Sequence, residues 1–124
     1  MTDDPLQRMI RRQRGLQARI APKIYSFGEA GNIDGRTFFL KENGNALLHE
    51  ASEVVNAIPW KMHKADFGRP ITPEERENAI TEVVDCLHFV INLFLGLGVD
   101  SSEEIEQRFI GKNKVNHDRW DRGY

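Results

Sequence analysis

The chain has 124 residues, with 17 Lys+Arg against 19 Asp+Glu for a formal net charge of −2, and it is 40% hydrophobic and 29% charged. That length and mix fit one soluble globular domain, residues 1–124, and exclude a fibrous or wholly disordered chain. The near-balanced charge excludes a field that demands nucleic acid or membrane as partner, and the single cysteine, Cys86, excludes an internal disulfide framework and predicts a reducing, cytoplasmic setting.

The first predicted helix runs from Pro5 to Ile20, where Leu6, Met9, Ile10, Leu16 and Ile20 form an imperfect apolar stripe with Gln13 between them. Pro22 follows as a stop. The N-terminus is acidic and then basic, without the apolar core of a signal peptide. Residues 26–36, with Gly28, Gly31, Asn32 and Gly35, read as a loop. The second helix is expected over Thr37–Ile58 on the stripe Leu47, Leu48, Ala51, Val54, Val55 and Ile58. Gly44 is a weak point inside it, and Pro59 closes it. A polar connection over 60–72 contains Trp60, Phe67, Gly68 and Pro70.

The third helix has the clearest start, Thr72-Pro73-Glu74-Glu75, which offers an N-cap, a proline at the first turn and a capping-box Glu. It continues to Leu95, and Gly96 and Gly98 end it. Its apolar stretch Val83–Val99 is interrupted by Asp85, His88 and Asn92, which reads as too short and polar for a membrane span. Ser101 and Glu104 offer a second capping box for a fourth helix. With no useful period-two alternation, the expected class is all-α, a bundle of about four main helices.

Two acidic pairs stand out, Glu50-x-x-Glu53 on the second helix and Glu82-x-x-Asp85 on the third. A spacing of three puts each pair on one helical face. Most such pairs are solvated surface, and alone neither would indicate a metal. On a helical wheel, however, Phe89 and Leu93 fall within about 20° of Glu82, while the main stripe, Val83, Val84, Leu87, Val90, Ile91 and Phe94, lies opposite. A helix apolar nearly all round is buried on both sides, and carboxylates held there need a partner or a cation. Ala46 and Ala57 flank Glu50 and Glu53 and leave room for close approach. Hard oxygen ligands at that density suit Mg²⁺, with Mn²⁺ as substitute, and not zinc. His88, one turn beyond Asp85, sits beside the carboxylate face. Cys86 reads as a small buried residue. Lys112, Asn116 and Arg119 share one helical face near the C-terminus, a pattern that suits phosphate oxygens, although a frayed basic tail reads the same way.

The order Glu50-x-x-Glu53, Glu82-x-x-Asp85-Cys86-Leu87-His88-Phe89 and Lys112-Asn113-x-x-Asn116-x-x-Arg119-x-x-x-Gly123-Tyr124 resembles the dimeric dUTPase family. That family is one of the all-α NTP pyrophosphatases, with the MazG-like enzymes and the dCTP pyrophosphatases, and the resemblance extends from Gln13 to the C-terminus. It implies that Glu50, Glu53, Glu82 and Asp85 bind Mg²⁺ against the triphosphate, with Glu53 favoured as general base. It implies that Lys112, Arg119 and Tyr124 hold phosphate oxygens, that Gln13, Trp60, His88 and Asn116 surround uracil, and that Lys61 reaches a phosphate. The expected reaction is hydrolysis of dUTP to the monophosphate and pyrophosphate, by a homodimer. Trp120 and Gln17 stand where the family commonly has Gln and Asn, and Ala57 where it often has Glu, so dCTP or a broader set of dNTPs remains open as substrate. A non-catalytic nucleotide-binding module and a nucleic-acid binder are the remaining alternatives. The latter rests on Arg8, Arg11, Arg12, Arg14 and Arg19, more simply read as a solvated face.

Overall fold

The fold comes from a computed structural model, which describes residues 3–20 and 33–123, and for Ile33 and Asp34 the backbone alone. It is all-α, as expected: α1 Pro5–Ile20, α2 Ile33–Asn56, α3 Pro73–Gly96 and α4 Ser102–Asp121. The expected loop over 26–36 is corrected in part. Residues 33–36 belong to α2, and 26–32 lie outside the described residues. Gly44 does not interrupt α2. Its propensity cost of roughly 1 kcal/mol is outweighed by packing of the turns before it, where Phe39 and Asn43 are buried.

Helices α2 and α3 form an antiparallel hairpin, in which Arg36 and Phe39 meet Gly96, Asn43 meets Asn92, and Glu50 meets Glu82. The connection between them is a run of turns, with Gly68 at φ 88°. Among the described residues, helix α1 packs on α3, and α4 lies against α1 and neither α2 nor α3. Asp4 caps α1 by accepting from the Gln7 N–H at 2.7 Å, and its second oxygen accepts the Ser102 hydroxyl at 2.7 Å. Those two bonds hold Asp4 below the usual carboxylate range. Gln7 also accepts from the Ser102 N–H at 2.9 Å. The first turn of α4 is thus pinned to the first turn of α1. Ser101 caps α4 by accepting the Glu104 N–H at 3.3 Å, whereas the Glu104 carboxylate accepts from Arg108 at 2.8 Å.

The buried face of α1 differs from its apolar stripe. Ile10, Gln13 and Gln17 are buried, while Met9, Leu16 and Ile20 are exposed. Helix α3 departs from its stripe in part: Ile91 of the stripe is buried together with Asn92, whereas Val83, Val84 and Leu87 are 52%, 46% and 38% exposed. The expectation that α3 is buried on both sides therefore holds only for its carboxylate side within one chain. By length and composition α3 as a whole is apolar enough to cross a bilayer, contrary to the reading of Val83–Val99. Its Glu82, Asp85 and Asn92 nevertheless face the protein's own helices.

The hairpin closes tightly at Gly96. A Cβ there would lie 2.9 Å from Leu40 Cδ2 and 2.9 Å from Phe39 Cδ1, and Phe39 is only 3% exposed. Gly96→Val is therefore expected to lower stability by about 1–3 kcal/mol, read from the midpoint of urea unfolding at unchanged slope.

The predicted capping box at Thr72 forms in full, with Glu75 N donating to Thr72 Oγ1 at 3.1 Å and Thr72 N donating to Glu75 Oε1 at 2.9 Å. Arg69 adds two parallel bonds to Glu75, at 2.7 and 2.8 Å. Those Arg69 bonds first, and the Thr72 N–H second, pull the Glu75 carboxyl down to about 2. A carboxyl with a lowered folded-state pKa stabilises the fold above its unfolded pKa and loses that contribution as pH falls through the folded value. Between about pH 4.5 and 2, Glu75→Gln is expected to flatten the acid limb of a thermal-midpoint profile. A limb as steep as the wild type's would count against this role.

Candidate active site

Helical periodicity aims Glu50 and Glu53 of α2 toward Glu82 and Asp85 of α3, and the antiparallel pairing brings the two faces into register. Glu50, Glu82 and Asp85 each offer a carboxylate oxygen lying within 4.8 Å of the others. Glu50 and Glu82 share a hydrogen bond. That bond, followed by burial and the charges of Glu50, Asp85 and Glu53, raises the Glu82 carboxyl above its ordinary range. Two carboxylates in that contact share a proton unless a cation takes its place. The donor set, all oxygen and all anionic, fits a hard divalent ion. Glu53 stands outside this trio and approaches His49 Nε2 at 3.8 Å. Burial, ahead of the neighbouring carboxylates, pushes the Cys86 thiol up. This half-buried cysteine is thus an inert thiol, consistent with its packing role.

Beside the trio, Glu53, Asn56, Ala57, Asn78, Thr81 and Glu82 line a cleft of about 280 Å³. Trp60 donates its indole N–H to Asn56 at 3.1 Å, which ties the ring to the rim of this cleft, and Lys61 Nζ lies 5.9 Å from the Trp60 ring. Asn78 and Thr81 were not singled out from the sequence. Their signal was available, since Asn78 lies four residues before Glu82 and Thr81 four before Asp85 on the same helix.

Gln13 and His88, expected to act together, do meet: Gln13 Oε1 lies 2.6 Å from His88 Nδ1. They also line a second cavity of about 300 Å³ with Met9, Arg12, Leu16 and Val84. Three buried amides, Gln17, Asn43 and Asn92, stand behind them; Gln17 was noted from the sequence as a departure from the family, whereas Asn43 and Asn92 were not read as part of the site.

The C-terminal motif is not brought to the carboxylates within one chain. Lys112, Asn116 and Arg119 lie on the distal half of α4, whose backbone, among the described residues, comes close to neither α2 nor α3, and Tyr124 lies outside the described residues. Phe109, Ile110 and Trp120 on that helix are 70%, 58% and 77% exposed. The basic cluster of α1 is in part ion-paired: Arg8 and Arg11 with Asp3, and Arg14 with Asp100 at 3.1 Å. This supports the plain reading of those arginines as surface charge.

Comparison with known proteins points to one family. A family model described as dUTPase matches residues 5–103, which covers all four carboxylates and stops short of Lys112. A dCTP pyrophosphatase of Enterobacteria phage T4 is 31% identical over 98% of this chain and 83% of its own length. A dCTP pyrophosphatase of Enterobacteria phage LZ5 is 28% identical over the same shares. A DNA replication protein of phage T4 is 29% identical over 90% of this chain but only 34% of its own length. No solved structure matches at comparable stringency.

Proposed function

We infer that this chain, which belongs to the dUTPase family, is a nucleotide pyrophosphohydrolase that takes a pyrimidine deoxynucleoside triphosphate and water to the monophosphate and pyrophosphate. The observation that carries this reading is the convergence of Glu50, Glu82 and Asp85, in which the Glu82 carboxyl is pushed above its ordinary range by Glu50, by burial and by the other carboxylates. We read dUTP as the first candidate substrate. The dCTP reading stands beside it on a specific observation: the two phage enzymes that align over 98% of this chain are dCTP pyrophosphatases.

Glu50, Glu82 and Asp85 would hold Mg²⁺, or Mn²⁺ in its place, with Glu53 one helical turn away. When bound, such an ion neutralises phosphate charge and acidifies water. Glu53, outside the trio and on the wall of the cleft, takes the proton of the attacking water. Asn56, Asn78 and Thr81 offer hydrogen bonds along the same wall, and Trp60 and Lys61 sit at its rim. Gln13 and His88 face the base, Asn116 joins them, Lys112 and Arg119 neutralise phosphate oxygens that the carboxylates would otherwise repel, and Tyr124 donates a hydrogen bond to one of them.

The assembly proposed is a homodimer in the cytoplasm. Met9, Leu16, Val84 and Leu87 form one exposed apolar face across α1 and α3, of the kind that a second copy covers. Because the distal half of α4 stands away from its own carboxylates, each motif would serve the partner's site.

The deciding experiment gives the purified chain Mg²⁺ with dUTP, dCTP, dTTP or dATP separately and measures pyrophosphate. Release from dUTP or dCTP at least tenfold faster than from dATP is the expected result. Equal release from all four would remove the pyrimidine reading, and release from none would remove the activity.

A further inference from the structure

The core between α1, α2 and α3 holds a chain of amides. Asn43 Nδ2 donates to the Phe39 carbonyl at 2.8 Å. Asn92 Nδ2 donates to Asn43 Oδ1 at 2.9 Å and to Gln17 Oε1 at 3.3 Å. Gln13 Nε2 donates to Asn92 Oδ1 at 2.8 Å, and Gln13 Oε1 meets His88 Nδ1 at 2.6 Å. Gln13, Gln17, Asn43 and Asn92 are each no more than 8% exposed.

We infer that Asn43 and Asn92 are positioning residues, which fix the orientation of the Gln13 amide and so hold His88 as its Nδ1–H tautomer, with Nε2 presented as a hydrogen-bond acceptor to the nucleotide base. The last clause rests on the proposed function, whereas the tautomer does not.

The direction of the chain follows from its anchor. A main-chain carbonyl only accepts, so Asn43 must turn its NH₂ to Phe39 and its oxygen to Asn92. Both N–H bonds of Asn92 are then used by acceptors, Asn43 and Gln17. Reversing the Asn92 amide would set oxygen against oxygen in a buried site, at the cost of unsatisfied acceptors. Asn92 Oδ1 therefore faces Gln13, Gln13 presents its NH₂ inward, and its oxygen is left for His88. A ring nitrogen 2.6 Å from an amide oxygen carries the proton. Polarity set at Phe39 is thus transmitted through three side chains to the ring. Apolar residues of the same size would fill this core without any need for matched donors. An acceptor at Nε2 takes an amino group or ring N–H of a pyrimidine and turns away a carbonyl.

The test is a nitrogen-15 NMR measurement on the full chain, with His88 assigned by His88→Gln, at a pH where the ring is neutral. Protonated Nδ1 and bare Nε2 are expected, and a dominant Nε2–H form overturns the inference. In Asn92→Leu, which cuts the chain between the anchor and Gln13, the Nε2–H form should rise. KM for the pyrimidine triphosphate should also rise about tenfold, with kcat changed much less. A folded Asn92→Leu with an unchanged tautomer overturns the inference as well. Should Asn92→Leu fail to fold, Asn43→Leu leaves Gln17 as one acceptor and must give the same shift in smaller measure. A wild-type protein that turns over no nucleotide would refute the proposed function, and the tautomer would still decide the inference.

Discussion

Glu82→Gln is expected to reduce pyrophosphate release by about a thousandfold or more while raising the thermal midpoint of the metal-free protein at neutral pH. The loss of rate corresponds to about 4 kcal/mol of transition-state stabilisation, within reach of one anionic ligand to a catalytic cation. The gain in stability follows from sign. A carboxyl whose folded-state pKa is raised contributes stability below its unfolded pKa and loses it as pH climbs through the folded value. Glu82 is in that position because Glu50, Asp85 and Glu53 surround it. An amide keeps the hydrogen bond to Glu50 and removes one repelling charge. Mg²⁺ should raise the midpoint of the wild type and have much less effect on the variant, in calorimetry without nucleotide. A variant that keeps full activity, or one that is less stable than wild type without metal, would count against the assigned site.

That pairing of effects shows why the acidic site was legible in the sequence. Spacing of three on a helix fixes which side chains share a face whatever the packing, so Glu50 with Glu53 and Glu82 with Asp85 needed only two helices side by side. The Thr72 cap was legible for the same reason, because its partners lie within one turn. The faces of α1 and α3 were misread because apolar periodicity assumes an apolar core. Here Gln13, Gln17, Asn43 and Asn92 satisfy one another, which removes the cost of burying them, while Leu16 and Leu87 stay outside. No single-sequence pattern signals mutual satisfaction between residues about 75 positions apart, as in Gln17 with Asn92. The start of α2 was misplaced by Gly35 and Gly44, whose local preference yields to the fit of Phe39 against Gly96. The placement of α4 was not legible either, since its anchorage is a polar contact of Asp4 and Gln7 with Ser102 across the length of the chain.

The placement of α4 carries the last expectation, a mixing experiment. Arg119→Ala and Glu82→Gln should each be nearly inactive alone, and an equimolar mixture of the two, unfolded and refolded together, should regain activity. If α4 of one copy serves the carboxylates of the other, a heterodimer has one site with both lesions and one with neither. Random pairing makes half of the dimers heterodimers, so roughly one quarter of the wild-type sites should return. If each chain completes its own site, every site in the mixture carries one lesion and nothing returns. The geometry favours the first outcome because, among the described residues, the backbone of α4 lies against α1 and comes close to neither α2 nor α3. A charge placed in the apolar face supplies the control. Leu87→Glu, opposite Glu82 on α3 and 38% exposed in the isolated chain, should yield a monomer by sedimentation and abolish the regained activity. Recovery that survives in a monomeric Leu87→Glu background would show that the partner is not needed.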